Sequence, residues 1–282
     1  MNAAYLLAAI TSVYFGAADL CGGIAARRAP AVTVTLFSGL AAILVLLPAF
    51  AFIHGDATPG SLAWGAGAGV FGGIGALLLY RALAHGPVSV ASPILCVTGL
   101  ALPVIAGIAL GERPSLLASA GLVLTPVSIV LLAQVDARWT HEERARVRRV
   151  IVPSLVAGFV VGFFLLCLGR IPKGSGLMPI MVARVTGMLV LAAWALARRL
   201  PLVPAAGARR MSLGAGALDS AANVGYVIAV QHATLSLVAA LVSLAPATSV
   251  LLARLWLGER WSAGQRAGLV AALGAGAMIS LG

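Results

Sequence analysis

Ten apolar stretches follow one another along this chain, and no other feature constrains its fold as much. They run over 3–24, 31–53, 61–84, 88–110, 115–133, 150–169, 177–198, 211–231, 234–257 and 263–281. In a helix, about 20 apolar residues cross the hydrocarbon core of a bilayer. Lipid offers no partner for backbone N–H and C=O groups, so each stretch must close its own hydrogen bonds as a helix. The alternative is a water-soluble helical bundle, which needs a charged surface. Only 10% of the residues are charged and 61% are hydrophobic, whereas soluble domains carry about 25% charged residues. The surplus apolar surface therefore faces lipid.

The polar breaks between the stretches contain the residues that end helices, Pro and Gly above all. Arg27-Arg28-Ala29-Pro30 ends the first stretch, and His54-Gly55-Asp56-Ala57-Thr58-Pro59-Gly60 the second. His85-Gly86-Pro87 and Gly111-Glu112-Arg113-Pro114 bound the fourth. A long polar run, Asp136 to Arg149, divides the chain into residues 1–133, a basic linker over 134–149, and residues 150–282.

The net charge of +11 does not imply a nucleic-acid partner, because the basic residues sit in short clusters between apolar runs. Such clusters mark cytoplasmic loops and attract anionic lipid. The loops after odd-numbered helices hold Arg27, Arg28, Arg138, Arg144, Arg146, Arg148, Arg149, Arg198, Arg199, Arg209, Arg210, Arg260 and Arg266. Those after even-numbered helices hold Arg113, Arg170 and Lys173. The count puts the odd loops in the cytoplasm and both termini outside. The N-terminal residues lack the basic region of a signal peptide, so the first stretch reads as a retained helix. Cys21, Cys96 and Cys167 all lie in apolar stretches and read as free thiols.

The chain also repeats itself. A shift of 147 positions lays Gly111-Glu112-Arg113 on Gly258-Glu259-Arg260, His85 on His232, Ser89 on Ser236, Ser115 on Ser262 and Gly121 on Gly268. A shift of 146 lays Gly16 on Gly162 and Cys21 on Cys167. Five crossings per half is an odd number, so the second half enters the membrane from the opposite side. The expected fold is an all-α membrane protein: ten transmembrane helices, as two inverted five-helix repeats around a central cavity. Inverted repeats recur in transporters, with the substrate near the midplane. The plainer alternative is a duplication without mechanistic meaning.

Ten helices in two halves, each with Gly-Glu-Arg after its fourth helix, resemble the drug/metabolite transporter superfamily, EamA type. The resemblance covers nearly the whole chain. It implies a ten-helix transporter of the bacterial inner membrane that exports amino acids, related metabolites or drugs, with a likeness to exporters of aromatic amino acids. It also implies termini in the cytoplasm, contrary to the arginine count.

Ionisable residues inside membrane helices cost roughly 2.5–3.5 kcal/mol each on insertion scales, so each needs a reason. Asp219 lies in the middle of helix eight, with Asn223 and Tyr226 at i+4 and i+7 on the same stripe. The stripe suits an interior or wet cavity, where the carboxylate can hold an ammonium or a proton and the tyrosine ring can face a cation. Alternatively, Asp219 and Arg184 form a structural pair. Asp19 is a proton or substrate site, or an interfacial partner of Arg27 or Arg28. Tyr80, Cys96, Phe163 and Ser243 are further candidates to line the cavity, while Arg81 is expected to reach the headgroups. His85 and His232 read as solvated turn residues. Glu112 and Glu259, each beside an arginine, read as caps for the following helix or as gates. Pro93 and Pro103 in helix four, and Pro246 in helix nine, read as hinges or simple kinks. Gly65, Gly69 and Gly73, and likewise Gly264 and Gly268, form small-residue faces for close packing inside a monomer, or between the copies of a homodimer.

These features favour a secondary transporter working by alternating access on a small-molecule substrate, with no cofactor and no metal. No GxxxxGK[ST] motif occurs to bind ATP. If Asp219 takes a proton, the protein is a proton-coupled antiporter of drugs or cations; otherwise it is a facilitator. An intramembrane enzyme acting on lipid needs clustered polar residues, yet His54, His85, His141 and His232 stand near helix ends or in loops. A channel needs a ring of like charges or filter carbonyls.

Overall fold

The computed structural model describes residues 3–49, 55–109, 115–132, 140–172, 174–232, 242, 244–259 and 261–281. Among them are ten helices and no strand: α1 (Ala3–Ala26), α2 (Ala31–Ala49), α3 (Pro59–His85), α4 (Val88–Ala109), α5 (Leu116–Leu132), α6 (His141–Gly169), α7 (Met178–Ala197), α8 (Ala206–His232), α9 (Ala245–Leu257) and α10 (Ala263–Leu281). Five, namely α1, α2, α3, α6 and α7, are long and apolar enough to cross a membrane, and shorter apolar helices lie in α4, α5 and α9.

The start of α6 departs from the sequence reading for a local reason. α6 begins at His141, so its first turns take up much of the stretch expected to be linker. The Thr140 hydroxyl accepts a hydrogen bond from the Glu143 N–H, and the Glu143 carboxylate accepts one from the Thr140 N–H. This reciprocal pair satisfies two end donors, and a Glu142–Arg146 ion pair one turn apart supports the same surface. α9 is described only from Ala245, so Pro246 stands in its first turn. A proline at that position of a helix removes no helical hydrogen bond. The stretch before it, 233–241 and 243, lies outside the described residues, as do 110–114.

Helices pack across the halves more than within them. α1 packs on α8 and α3 on α6; α2 on α8 and α3 on α7; α1 on α9 and α4 on α6. Exchanging α1–α5 with α6–α10 turns each of these pairs into its neighbour in the series, and α5 with α10 into itself. Close approaches follow the same exchange. Gly69 of α3 meets the Ala183 carbonyl of α7, and Gly216 of α8 meets the Ser38 carbonyl of α2. Gly16 of α1 packs on Ala245 and Thr248 of α9, and Gly162 of α6 on Gly99 and Leu102 of α4. The Gly65–Gly69–Gly73 face lies against Pro179, Ala183 and Gly187 of α7, and Gly268 against Leu131 and Leu132 of α5. The Gly65–Gly69–Gly73 face and Gly268 are thus used inside the chain.

Loop contacts fix which helix ends share a side. The end of α1 (Arg27), the end of α3 (His85), the start of α6 (Glu143, Arg146) and the end of α9 (Leu257) line one hollow of about 540 Å³. Arg28, just past α1, donates to the Gly207 carbonyl at the start of α8, and Thr33 of α2 donates to the Pro201 carbonyl. At the other end, the Asp56 N–H donates to the Gly174 carbonyl, joining the loops after α2 and α6. So α1 and α6 run in opposite directions, as do α4 and α9.

Candidate functional site

The polar side chains that the apolar helices carry meet in the middle of this packing. α8 shows why. Gly216 and Ser220, one turn apart, face α2: the Gly216 backbone touches Ser38, and the Ser220 hydroxyl donates to the Ala42 carbonyl at 2.9 Å. Gly225 and Ala229 face α1, against Thr11 and Ala8. On a helix of 3.6 residues per turn, Asp219 and Asn223 fall between these two faces. They point between α1 and α2 and not out to lipid.

Asp219 is held from two sides. Arg184 of α7 donates through Nη2 to its Oδ2 at 2.5 Å, and the Asn223 amide donates to the Asp219 backbone carbonyl at 2.7 Å and to Oδ2 at 3.4 Å. The Asp219 and Arg184 side chains keep 30% and 27% of their exposure, so the pair borders space rather than packed hydrocarbon. The structural pairing with Arg184 is therefore present. Tyr226, the third member of the stripe, packs against the buried contact of Ala8 with Ala229.

Asp19 of α1 belongs to the same cluster. Its Oδ2 lies 3.5 Å from the Ser249 hydroxyl of α9, which also reaches the Gly16 and Ala245 carbonyls at 3.2 and 3.3 Å, and the carboxylate lies in hydrogen-bonding reach of Ser92 of α4. Asp19 and Asp219 feel each other's charge. The interfacial alternative, a pair with Arg27 or Arg28, does not form. Arg27 turns to Glu259 and to the Leu83 and Gly86 carbonyls, and Arg28 to Gly207. Tyr80 of α3 is buried, lies in reach of the Ser38 hydroxyl of α2, and stands in the fields of Asp19, Asp219 and Arg184. Cys96 of α4 is near Asp19. The cluster thus draws side chains from α1, α2, α3, α4, α7, α8 and α9. Ser38, Ser92 and Ser249 complete it and were not singled out from the sequence. Serines are common in helices, and nothing in one sequence says which of them face a carboxylate.

The remaining candidates lie elsewhere. Phe163 stacks on Phe71 of α3, centroids 5.2 Å apart, and meets Phe159 edge-on; Phe159 is half exposed at the surface of the bundle. Pro93 is buried in α4, and Pro103 stands in the same helix. His85 bonds through Nδ1 with the Arg81 carbonyl at 2.7 Å, and both residues are exposed. Glu259 does not cap the following helix, as expected, but one in the other half. Its two carboxylate oxygens accept from the Val88 N–H at 2.8 Å and the Ser89 N–H at 3.0 Å, at the start of α4. Glu112 and Ser243 lie outside the described residues. Among the described residues, no group of three or more His, Cys, Asp or Glu is arranged to hold a metal.

Residues 2–134 match the EamA-like transporter family, a span that takes in the first five helices and stops at the polar stretch. No curated protein matches the chain. Eleven chains of known structure do. One of them, a crystal structure of a protein, shares 15% identity at a TM-score of 0.62, with 99% of this chain and 96% of its own covered; at that identity the likeness is one of fold alone. Residues 2–134 thus carry an EamA-like transporter domain, and the apolar helices are those of a multi-pass membrane protein, consistent with a transporter of small molecules.

Proposed function

We propose that the chain exports small organic metabolites, amino acids above all, across the bacterial inner membrane by alternating access between two inverted five-helix repeats. One observation carries the reading. The cluster between the halves holds a carboxylate with hydroxyl partners, Asp19, beside a carboxylate already joined to a guanidinium, Asp219 with Arg184. A zwitterion fits this arrangement. Its ammonium goes to Asp19, and its carboxylate competes with Asp219 for Arg184, whose planar fork suits a carboxylate. The opposite directions of α1 and α6, and the exchange of packing pairs between the halves, support the inverted repeat. A molecule built this way has two near-mirror states.

A second reading rests on the balance of charge. Two carboxylates stand with one guanidinium, so the site favours a cation, and a proton exchanged at Asp19 makes the protein an antiporter of cationic drugs. Reconstituted liposomes separate the two. Counterflow of labelled amino acids, abolished by Asp19→Asn and indifferent to a pH gradient, supports the first. Uptake of a cationic dye that follows the pH gradient supports the second. Flux of neither class removes the site from both.

A further inference from the structure

Glu259 joins parts of the molecule that are far apart in sequence. It follows the end of α9 and is nearly buried, its side chain 12% exposed. Both of its oxygens are taken by N–H groups of the first turn of α4, and Arg27, past the end of α1, stands 3.9 Å away. Arg27 also donates to the Leu83 and Gly86 carbonyls at the end of α3, each at 3.4 Å. The ends of α1, α3, α4 and α9 thus meet at one carboxylate. The first N–H groups of a helix have no partner inside it and carry the positive end of its dipole, so a carboxylate binds there strongly.

The helices so joined are the two that flank Asp19. Ser92 stands one turn beyond Val88 and Ser89 in α4 and reaches Asp19; Ser249 stands earlier in α9, its hydroxyl 3.5 Å from the Asp19 carboxylate. We propose that Glu259 is a positioning residue of the transport site, a latch that closes the α4–α9 seam at the arginine-rich end and thereby holds Ser92 and Ser249 on Asp19. Release of the two N–H groups frees the start of α4 to swing from α9. It opens the path from the hollow lined by Arg27, His85, Arg146 and Glu259 toward Asp19 and Cys96. The sequence prepares this geometry: Gly258 turns the chain with φ of 64°, in the left-handed region, and returns Glu259 over the neighbouring helix.

The inference rests on the transporter reading, but its test does not. Cys96 is half-buried in α4, and the two other cysteines can be replaced by serine to leave it alone. In the purified full chain, Glu259→Gln is expected to raise the rate at which a maleimide modifies Cys96 about tenfold, the factor that loss of one charge-assisted hydrogen bond gives. A protein carrying Cys167 alone, at the far end of α6, is expected to react at an unchanged rate. Arg27→Gln, which leaves both N–H bonds in place, is expected to give a smaller rise at Cys96 and serves where the first variant does not fold. An unchanged rate at Cys96, or an equal rise at Cys96 and Cys167, overturns the latch. Transport lost with no change in labelling points to Glu259 acting on substrate directly and overturns it as well.

Discussion

At the residue scale the question is whether Asp219 and Arg184 are structure or mechanism. Removing one partner of a buried ion pair costs roughly 3–5 kcal/mol because the other charge is left unpaired. With each side chain near 30% exposed, the loss here is smaller, since water screens what remains. A charge swap separates the roles. The double variant Asp219→Arg with Arg184→Asp keeps an ion pair between α7 and α8 but moves the negative charge. It is expected to retain most of the thermal stability in detergent that Asp219→Asn loses, while neither variant exports. Export by the swapped protein would make the pair structural. Tyr80 offers a second test. A methyl added at Gly22 would lie inside its ring, so Gly22→Ala must push the tyrosine off α1 and away from Ser38. Overpacking of this kind costs about 1–3 kcal/mol. Reduced export with a modest fall in melting temperature is expected; wild-type export would detach Tyr80 from the site. Much of this cluster was legible because charge stands out against hydrocarbon: Asp19, Arg184 and Asp219 are visible in any reading of the stretches. Their hydroxyl partners were not, because a serine inside a helix bears no mark of the face it occupies until the helices are packed.

At the element scale, close packing explains the glycines. Without a hydrophobic drive between helices in lipid, association depends on backbones coming near each other. Gly69 and Gly216 stand at equivalent points, each under a carbonyl of the neighbouring helix, with no room for a methyl. Gly69→Ala and Gly216→Ala are both expected to lower the melting temperature in detergent. Gly214→Ala, on the same helix as Gly216 but with open space at its Cβ, is expected to be neutral or stabilising, since alanine gains up to about 1 kcal/mol over glycine in a helix. Equal effects at positions 214 and 216 would refute the packing account. The apolar stretches fixed the helices to within a few residues in most cases. The exceptions are α6 and α8, whose starts are polar: hydropathy ends at the membrane surface, but helical hydrogen bonding does not. A capping box such as that at Thr140 and Glu143 is the signal that would have placed the start of α6.

At the scale of the whole molecule, the alternation of helices brings the arginine-bearing ends together. The ends of α1 and α9 and the starts of α6 and α8 share one side, with Arg27, Arg28, Arg146 and Arg149 near them. The loops holding Asp56 and Gly174 meet on the other. Charge bias of this size sets orientation, because moving arginines across the bilayer is costly and anionic lipid holds them at the inner surface. The arginine-rich end is therefore expected to face the cytoplasm, and the termini the outside, against the arrangement that the family resemblance suggests. Single cysteines decide between them. In a background without the native cysteines, Asp56→Cys is expected to react with an impermeant maleimide on intact cells, and Arg144→Cys to react only after permeabilisation. The reverse pattern would put the termini in the cytoplasm and turn the Glu259 latch into an outer gate. It would leave the geometry of the Asp19 cluster untouched, since that depends on how the halves pack and not on which leaflet they face.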